Sequence, residues 1–218
     1  MATEVERKVT IETPQATLEG ILAIPKDAFG LVIFAHGSGS SRFSPRNQFV
    51  AQELRRGGIA TLLFDLLEQW EAEDREKVFD VELLAERLMF ATDWALLDAE
   101  TRSLNLGYFG ASTGAAAALI AAAELGNVIK AIVSRGGRPD LAMDYLVNVT
   151  SPTLLIVGGE DWPIIPLNRE AYDLLPGPKE LVIIPGASHL FEEPGALEEV
   201  ARLAREWFKK YLGREASK

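Results

Sequence analysis

The chain has 218 residues, 48% apolar and 25% charged, the proportions of a soluble globular protein with a sizeable core. Its net charge of −10 disfavours nucleic acid and anionic membrane surfaces as partners. The absence of cysteine removes disulfides, thiolate metal sites and a cysteine nucleophile. The opening stretch Met1-Ala-Thr-Glu-Val-Glu-Arg-Lys8 lacks the apolar run of a secretory signal, so a cytoplasmic location is expected.

Val5 to Glu12 and Thr17 to Ile24 alternate polar and apolar residues around Thr13-Pro14-Gln15, which predicts an antiparallel hairpin at one sheet edge. Leu31 to Ala35 is a continuous apolar run, as expected of a strand covered on both faces, and ends in His36-Gly-Ser-Gly-Ser-Ser41. A helix follows from about Pro45 to Arg56, stopped by Gly57-Gly58, and then a strand from Ile59 to Phe64 closed by Asp65. Glu68 to Asp80 is acidic and reads as a solvated surface loop or short helix; as a lid it would edge a pocket. Val81 to Ala99 has the period of an amphipathic helix. Ser103 to Ala123 runs 21 residues without a charge, but its central Gly, Ser and Thr residues point to a buried strand–turn–helix rather than a membrane span.

Further strands are expected over Val128 to Ser134, Pro152 to Val157 and Glu180 to Ile184. Helical segments are expected near Pro139 to Leu146, Pro166 to Leu175 and Pro194 to Tyr211. Six strands alternating with helices after a hairpin predict an α/β fold: a mostly parallel sheet of about eight strands with helices on both faces. No repeat or linker divides residues 1–218, so one domain without a separate cap is expected. Ligands of such sheets sit at the carboxyl ends of the strands.

Three loops at that edge carry the chemistry. Gly110-Ala-Ser-Thr-Gly114 has the GxSxG form of a strained strand-to-helix elbow, with Ser112 at the apex and the positive end of a helix beside it. A serine hydroxyl needs a base, and the chain has only two histidines, His36 and His189, each just beyond a strand. Asp161 follows the strand before that of His189 and can orient its imidazole. The order Ser112, Asp161, His189 is that of nucleophile-elbow hydrolases. The alternatives are a helix-capping role for Ser112, a surface role for His189, Glu160 in place of Asp161, and His36 as base.

With His36-Gly-Ser38, Gly110-Ala-Ser-Thr-Gly114, Gly158-Gly-Glu-Asp161 and Gly186-Ala-Ser-His189 in view, the chain resembles an α/β-hydrolase. It is most similar to small cap-less dienelactone-hydrolase-like members, over essentially Leu18 to Trp207. The resemblance implies Ser112 as nucleophile, His189 as general base and acid, and Asp161 as the orienting acid. It also implies an oxyanion hole from the backbone N–H groups of Ser38 and Thr113, and a structural His36. Dienelactone hydrolases use cysteine at the elbow; serine here points to a plain ester or thioester.

Arg42, Arg135 and Arg138 follow strands, and any of them facing the pocket would suit an anionic substrate; the alternative is surface pairing with the many acids. Asp65 is expected to brace loops. No metal cluster, Walker loop or dinucleotide fingerprint is evident, so no cofactor is implied. The expected activity is serine-dependent hydrolysis of carboxylic esters or thioesters. An acyltransferase or small-peptide hydrolase on the same triad, or a non-catalytic binding module, is the alternative.

Overall fold

The computed structural model describes residues 4–213; the part of the N-terminal reading that rests on residues 1–3 lies outside them. In chain order the elements are β1 (Val5–Glu12), β2 (Thr17–Ile24), β3 (Gly30–Ala35), α1 (Pro45–Arg56), β4 (Ile59–Phe64), α2 (Arg75–Phe79) and α3 (Val81–Leu97). They continue with β5 (Asn105–Ala111), α4 (Thr113–Leu125), β6 (Ile129–Arg135), a 3₁₀ segment (Pro139–Asn148), β7 (Thr153–Gly158), α5 (Ile165–Leu174), β8 (Lys179–Ile184) and α6 (Ala196–Leu212).

The eight strands form one sheet in the order β1-β2-β4-β3-β5-β6-β7-β8. The β1–β2 and β2–β4 pairings are antiparallel and all the others parallel. Strands β3, β4 and β7 are buried at every residue, which is why they read as unbroken apolar runs rather than alternating ones. Helices cover both faces. One face packs α3, α4 and α5 residues such as Leu88, Leu119 and Ala171 against Ile33, Tyr108 and Ile132. The other packs Val50 of α1 and Trp207 and Phe208 of α6 against Phe34, Phe109 and Val133.

The strand order reverses at β3: β4 lies on one side of it and β5 on the other. The crevice of such a sheet opens at this switch point, between the loops that leave β3 and β5. Helix starts near it are locally encoded. The Ser44 hydroxyl accepts the Asn47 N–H at 3.3 Å with Pro45 in the first turn of α1, and the Asp80 carboxylate accepts the Leu83 N–H at 3.0 Å to start α3.

The acidic segment is largely exposed and holds the short helix α2, as its composition predicts, with one acid as the exception. Glu71 is 1% exposed and takes a two-point ion pair from the equally buried Arg87 of α3, at 2.9 and 3.3 Å. Lys77 Nζ stands 3.1 Å from the same carboxylate, and the Glu68 N–H donates to it at 3.0 Å. Burial pushes the Glu71 carboxyl up, but these donors outweigh it and hold it below the usual carboxylate range. The segment is therefore fastened to α3 by charge. No helix among the described residues is long and apolar enough to cross a membrane.

Candidate active site

Ser112 sits between β5 and α4 at φ 51° and ψ −120°, a backbone conformation that costs a non-glycine residue about 1–3 kcal/mol. The surroundings impose it. The Ser112 N–H donates to the Arg135 carbonyl at 3.2 Å, and its carbonyl accepts the N–H groups of Ala115 and Arg138, both at 3.1 Å. The flanking glycines are required by space: a Cβ on Gly110 would lie 2.5 Å from Ala115 Cα, and one on Gly114 2.1 Å from the Ala35 carbonyl oxygen. The Ser112 side chain makes no capping hydrogen bond to α4, so the capping alternative is not what the serine does.

His189 Nδ1 is 2.6 Å from Asp161 Oδ2. Asp161 is buried and its N–H donates to the Gly158 carbonyl at 3.0 Å, whereas Glu160 is exposed. The His189 ring packs on Gly136, where a Cβ would stand 3.4 Å from both Cε1 and Nδ1. Gly136 directly follows the residue whose carbonyl holds Ser112, so one turn after β6 seats both the elbow and the imidazole. Among the described residues no hydrogen bond joins Ser112 Oγ to His189.

On the opposite side of the elbow, the loop after β3 lies against Ser112: a Cβ on Gly37 would be 3.2 Å from Ser112 Cβ. The Ser38 N–H donates to Thr113 Oγ1 at 3.0 Å, a side-chain tie between the two loops that no sequence pattern announces. His36 is buried beneath them. Its Nε2 accepts the Leu66 N–H at 3.0 Å and its Nδ1 lies 2.9 Å from the Gly37 carbonyl, which places the proton on Nδ1. Burial holds its pKa below the usual imidazole value, and the neutral ring links β3 to the loop after β4.

A cavity of about 640 Å³ opens beside this loop, lined by Gly37, Ser38, Arg42, Phe43, Asp65, Leu67, Glu68, Val78 and Leu84. The acidic segment thus walls the cavity. A second cleft, of about 520 Å³ between Pro45, Gln52, Arg55 and Thr61, holds none of the site residues.

The three arginines have separate fates. Arg42 is paired with Asp65 and, at 2.5 Å, with Glu19, and the Asp65 carboxylate also accepts the Arg42 N–H at 2.7 Å. Arg138 grips Asp140 through two bonds of 2.9 and 2.7 Å. Both have carboxylate neighbours, the pairing with acids that the sequence left open, although Arg42 also lines the cavity. Arg135 alone has no carboxylate partner among the described residues. The described residues contain no group of three or more His, Asp or Glu side chains able to hold a metal ion.

No family model matches the chain. A dienelactone hydrolase from Anabaena variabilis ATCC 29413, known from its crystal structure, is 56% identical with a TM-score of 0.93. The match spans 96% of this chain and 99% of that one. This chain belongs to the dienelactone hydrolase family. The fold of the family extends to far more distant proteins: the Est1E protein of Butyrivibrio proteoclasticus is 18% identical, with a TM-score of 0.80 over 93% of this chain and 98% of its own. Curated relatives in two strains of Mycobacterium tuberculosis are 53% identical over 207 residues, covering 95% of this chain and 47% of theirs. They bear the provisional name phosphoribosyl transferase, and this dienelactone hydrolase family member spans about half their length.

Proposed function

We propose that the chain hydrolyses carboxylic esters or thioesters through an acyl-serine intermediate on Ser112. The observation that carries this reading is a serine held at φ 51° at the switch point of the sheet, with its hydroxyl left out of helix capping. Membership of the dienelactone hydrolase family, and the 2.6 Å contact between His189 and Asp161 at the same edge, support it. Serine in place of the family's cysteine favours an ordinary ester or thioester over a dienelactone.

In this mechanism Ser112 Oγ attacks the carbonyl carbon while its proton passes to His189 Nε2, and Asp161 stabilises the imidazolium through Nδ1–H. The negative charge on the tetrahedral oxygen is met by the N–H of Thr113, at the positive end of α4, and by that of Ser38. Ser38 N–H exchanges its bond to Thr113 Oγ1 for this contact. Collapse breaks the bond to the alkoxide or thiolate, which takes the proton from His189. Water then loses a proton to His189 as it attacks the acyl carbon, and collapse breaks the acyl bond to Ser112 Oγ, which takes that proton back from His189 as the carboxylic acid leaves. The phosphoribosyl transferase name describes proteins about twice as long; the elbow chemistry is proposed for the half that this chain matches.

A fluorophosphonate probe is expected to label Ser112, and Ser112→Ala to lose the labelling and at least about 10⁴-fold in kcat/KM on p-nitrophenyl acetate. Retention of full esterase activity by the alanine variant refutes the mechanism.

A further inference from the structure

Arg135 is the last residue of β6, and strand parity sends its side chain to the same face as Ala131 and Val133, toward α1. It is 6% exposed. Among the described residues its one side-chain hydrogen bond is a long one, 3.4 Å from Nη2 to Asn47 Oδ1 in the first turn of α1, and its Nε is enclosed without a partner. The guanidinium carbon lies 5.9 Å from the centre of the Phe191 ring. The one charge that shifts it is another cation, Arg46, whose Nε is also enclosed and unpartnered among the described residues. The only acid within 4 Å of Arg46 among the described residues is Glu192, at 3.7 Å and well exposed. Burial, and then the charge of Arg46, push Arg135 down to about 10, so it remains a cation at neutral pH.

A desolvated guanidinium with no counter-ion is costly, and a second cation beside it adds to the cost. The geometry compounds this, because α1 is 12 residues long and directs its positive end to the same place. We propose that Arg135, Arg46, Asn47 and the first turn of α1 form a binding site for an oxyanion group, a phosphate or a carboxylate, adjoining the catalytic edge. The planar guanidinium offers donors to two oxygens, and the first turn of α1 adds the Arg46 N–H, since Pro45 has none and Ser44 holds those of Asn47 and Gln48. The site lies on the α1 face, whereas the 640 Å³ cavity is bordered by Leu84 of α3 on the other. The Arg135 carbonyl holds the Ser112 N–H, so an anion bound here sits one residue's main chain from the elbow.

Thermal unfolding of the whole chain in phosphate or acetate, each against sodium chloride at equal ionic strength, tests this without reference to activity. Phosphate stabilises many proteins by exclusion from their surface, so the reading is the difference between wild type and variants. With millimolar affinity and about 20-fold excess of ligand, the wild-type Tm is expected to rise about 3–6 °C further than in Arg135→Met and Arg46→Gln. The larger response of the two salts names the preferred oxyanion. Should Arg135→Met not fold, calorimetric titration of phosphate and acetate into wild type and Arg46→Gln replaces it, with at least about tenfold weaker binding expected in the variant. Shifts or affinities equal in wild type and variants, for both anions, overturn the proposal.

Discussion

Arg87 and Arg135 are buried to nearly the same extent, and their company is opposite. Arg87 meets Glu71 through two bonds, with Lys77 and the Glu68 N–H completing the carboxylate's shell. Arg135 has one stretched contact to an amide oxygen and a second arginine for a neighbour. A buried charge whose partner is internal works as a fastener: here it closes the wall of the cavity beside the β3 loop. A buried charge with no carboxylate partner among the described residues leaves, on our proposal, a valence for something outside the chain. The two flanks of the edge that carries Ser112 are thus built on different electrostatic terms.

The contrast can be broken most severely at Glu71. Removing its charge in Glu71→Gln strands Arg87, at a cost of about 3–5 kcal/mol, or roughly 8–15 °C in Tm by thermal unfolding. Replacing both partners by apolar residues, Glu71→Leu with Arg87→Met, is expected to recover most of that loss, because well-packed apolar pairs often match buried ion pairs. The corresponding change on the other flank has the opposite sign. In buffer without phosphate or acetate, Arg135→Met is expected to leave Tm unchanged or raise it by about 2–4 °C, since it deletes an unpaired charge. A fall of more than about 8 °C would show that Arg135 has an internal partner as binding as that of Arg87.

The smallest effect concerns His36. Its folded pKa lies below the ordinary value of 6.5, so the neutral ring adds stability that is complete above pH 6.5 and is lost as pH falls through the folded value. In His36→Gln, Tm measured from pH 7.5 to 5 should fall less steeply than in wild type, by about 2–4 °C for each kcal/mol of linkage removed.

Much of the framework was legible in the sequence because its signals are local. Leu31 to Ala35 and Ile59 to Phe64 read as strands covered on both faces, since burial on both sides leaves nothing polar to alternate. Gly110 and Gly114 mark the elbow through steric needs that only glycine meets. Within Glu68 to Asp80 the surface loop and short helix were legible, but the burial of Glu71 was not, because its cation, Arg87, lies one element later. The burial of Arg135 was hidden for a related reason. Which face residue 135 occupies follows from the register of β6 against β5 and β7, and what it meets there depends on where α1 docks. The Thr113 hydroxyl escaped notice since its partner, the Ser38 N–H, belongs to a loop 75 residues away.

The space denied to Gly114 has a dynamic consequence. With α4 pressed onto the Ala35 carbonyl at Gly114, the turn that carries Ser112 has no room to slide against the loop that faces it, even when Ser38 leaves Thr113. The two must travel as one body. On the proposed mechanism, adjustment to substrates of different shape then falls to the outer walls, Phe43 and the segment around Val78, and substrate breadth becomes a matter of wall mobility.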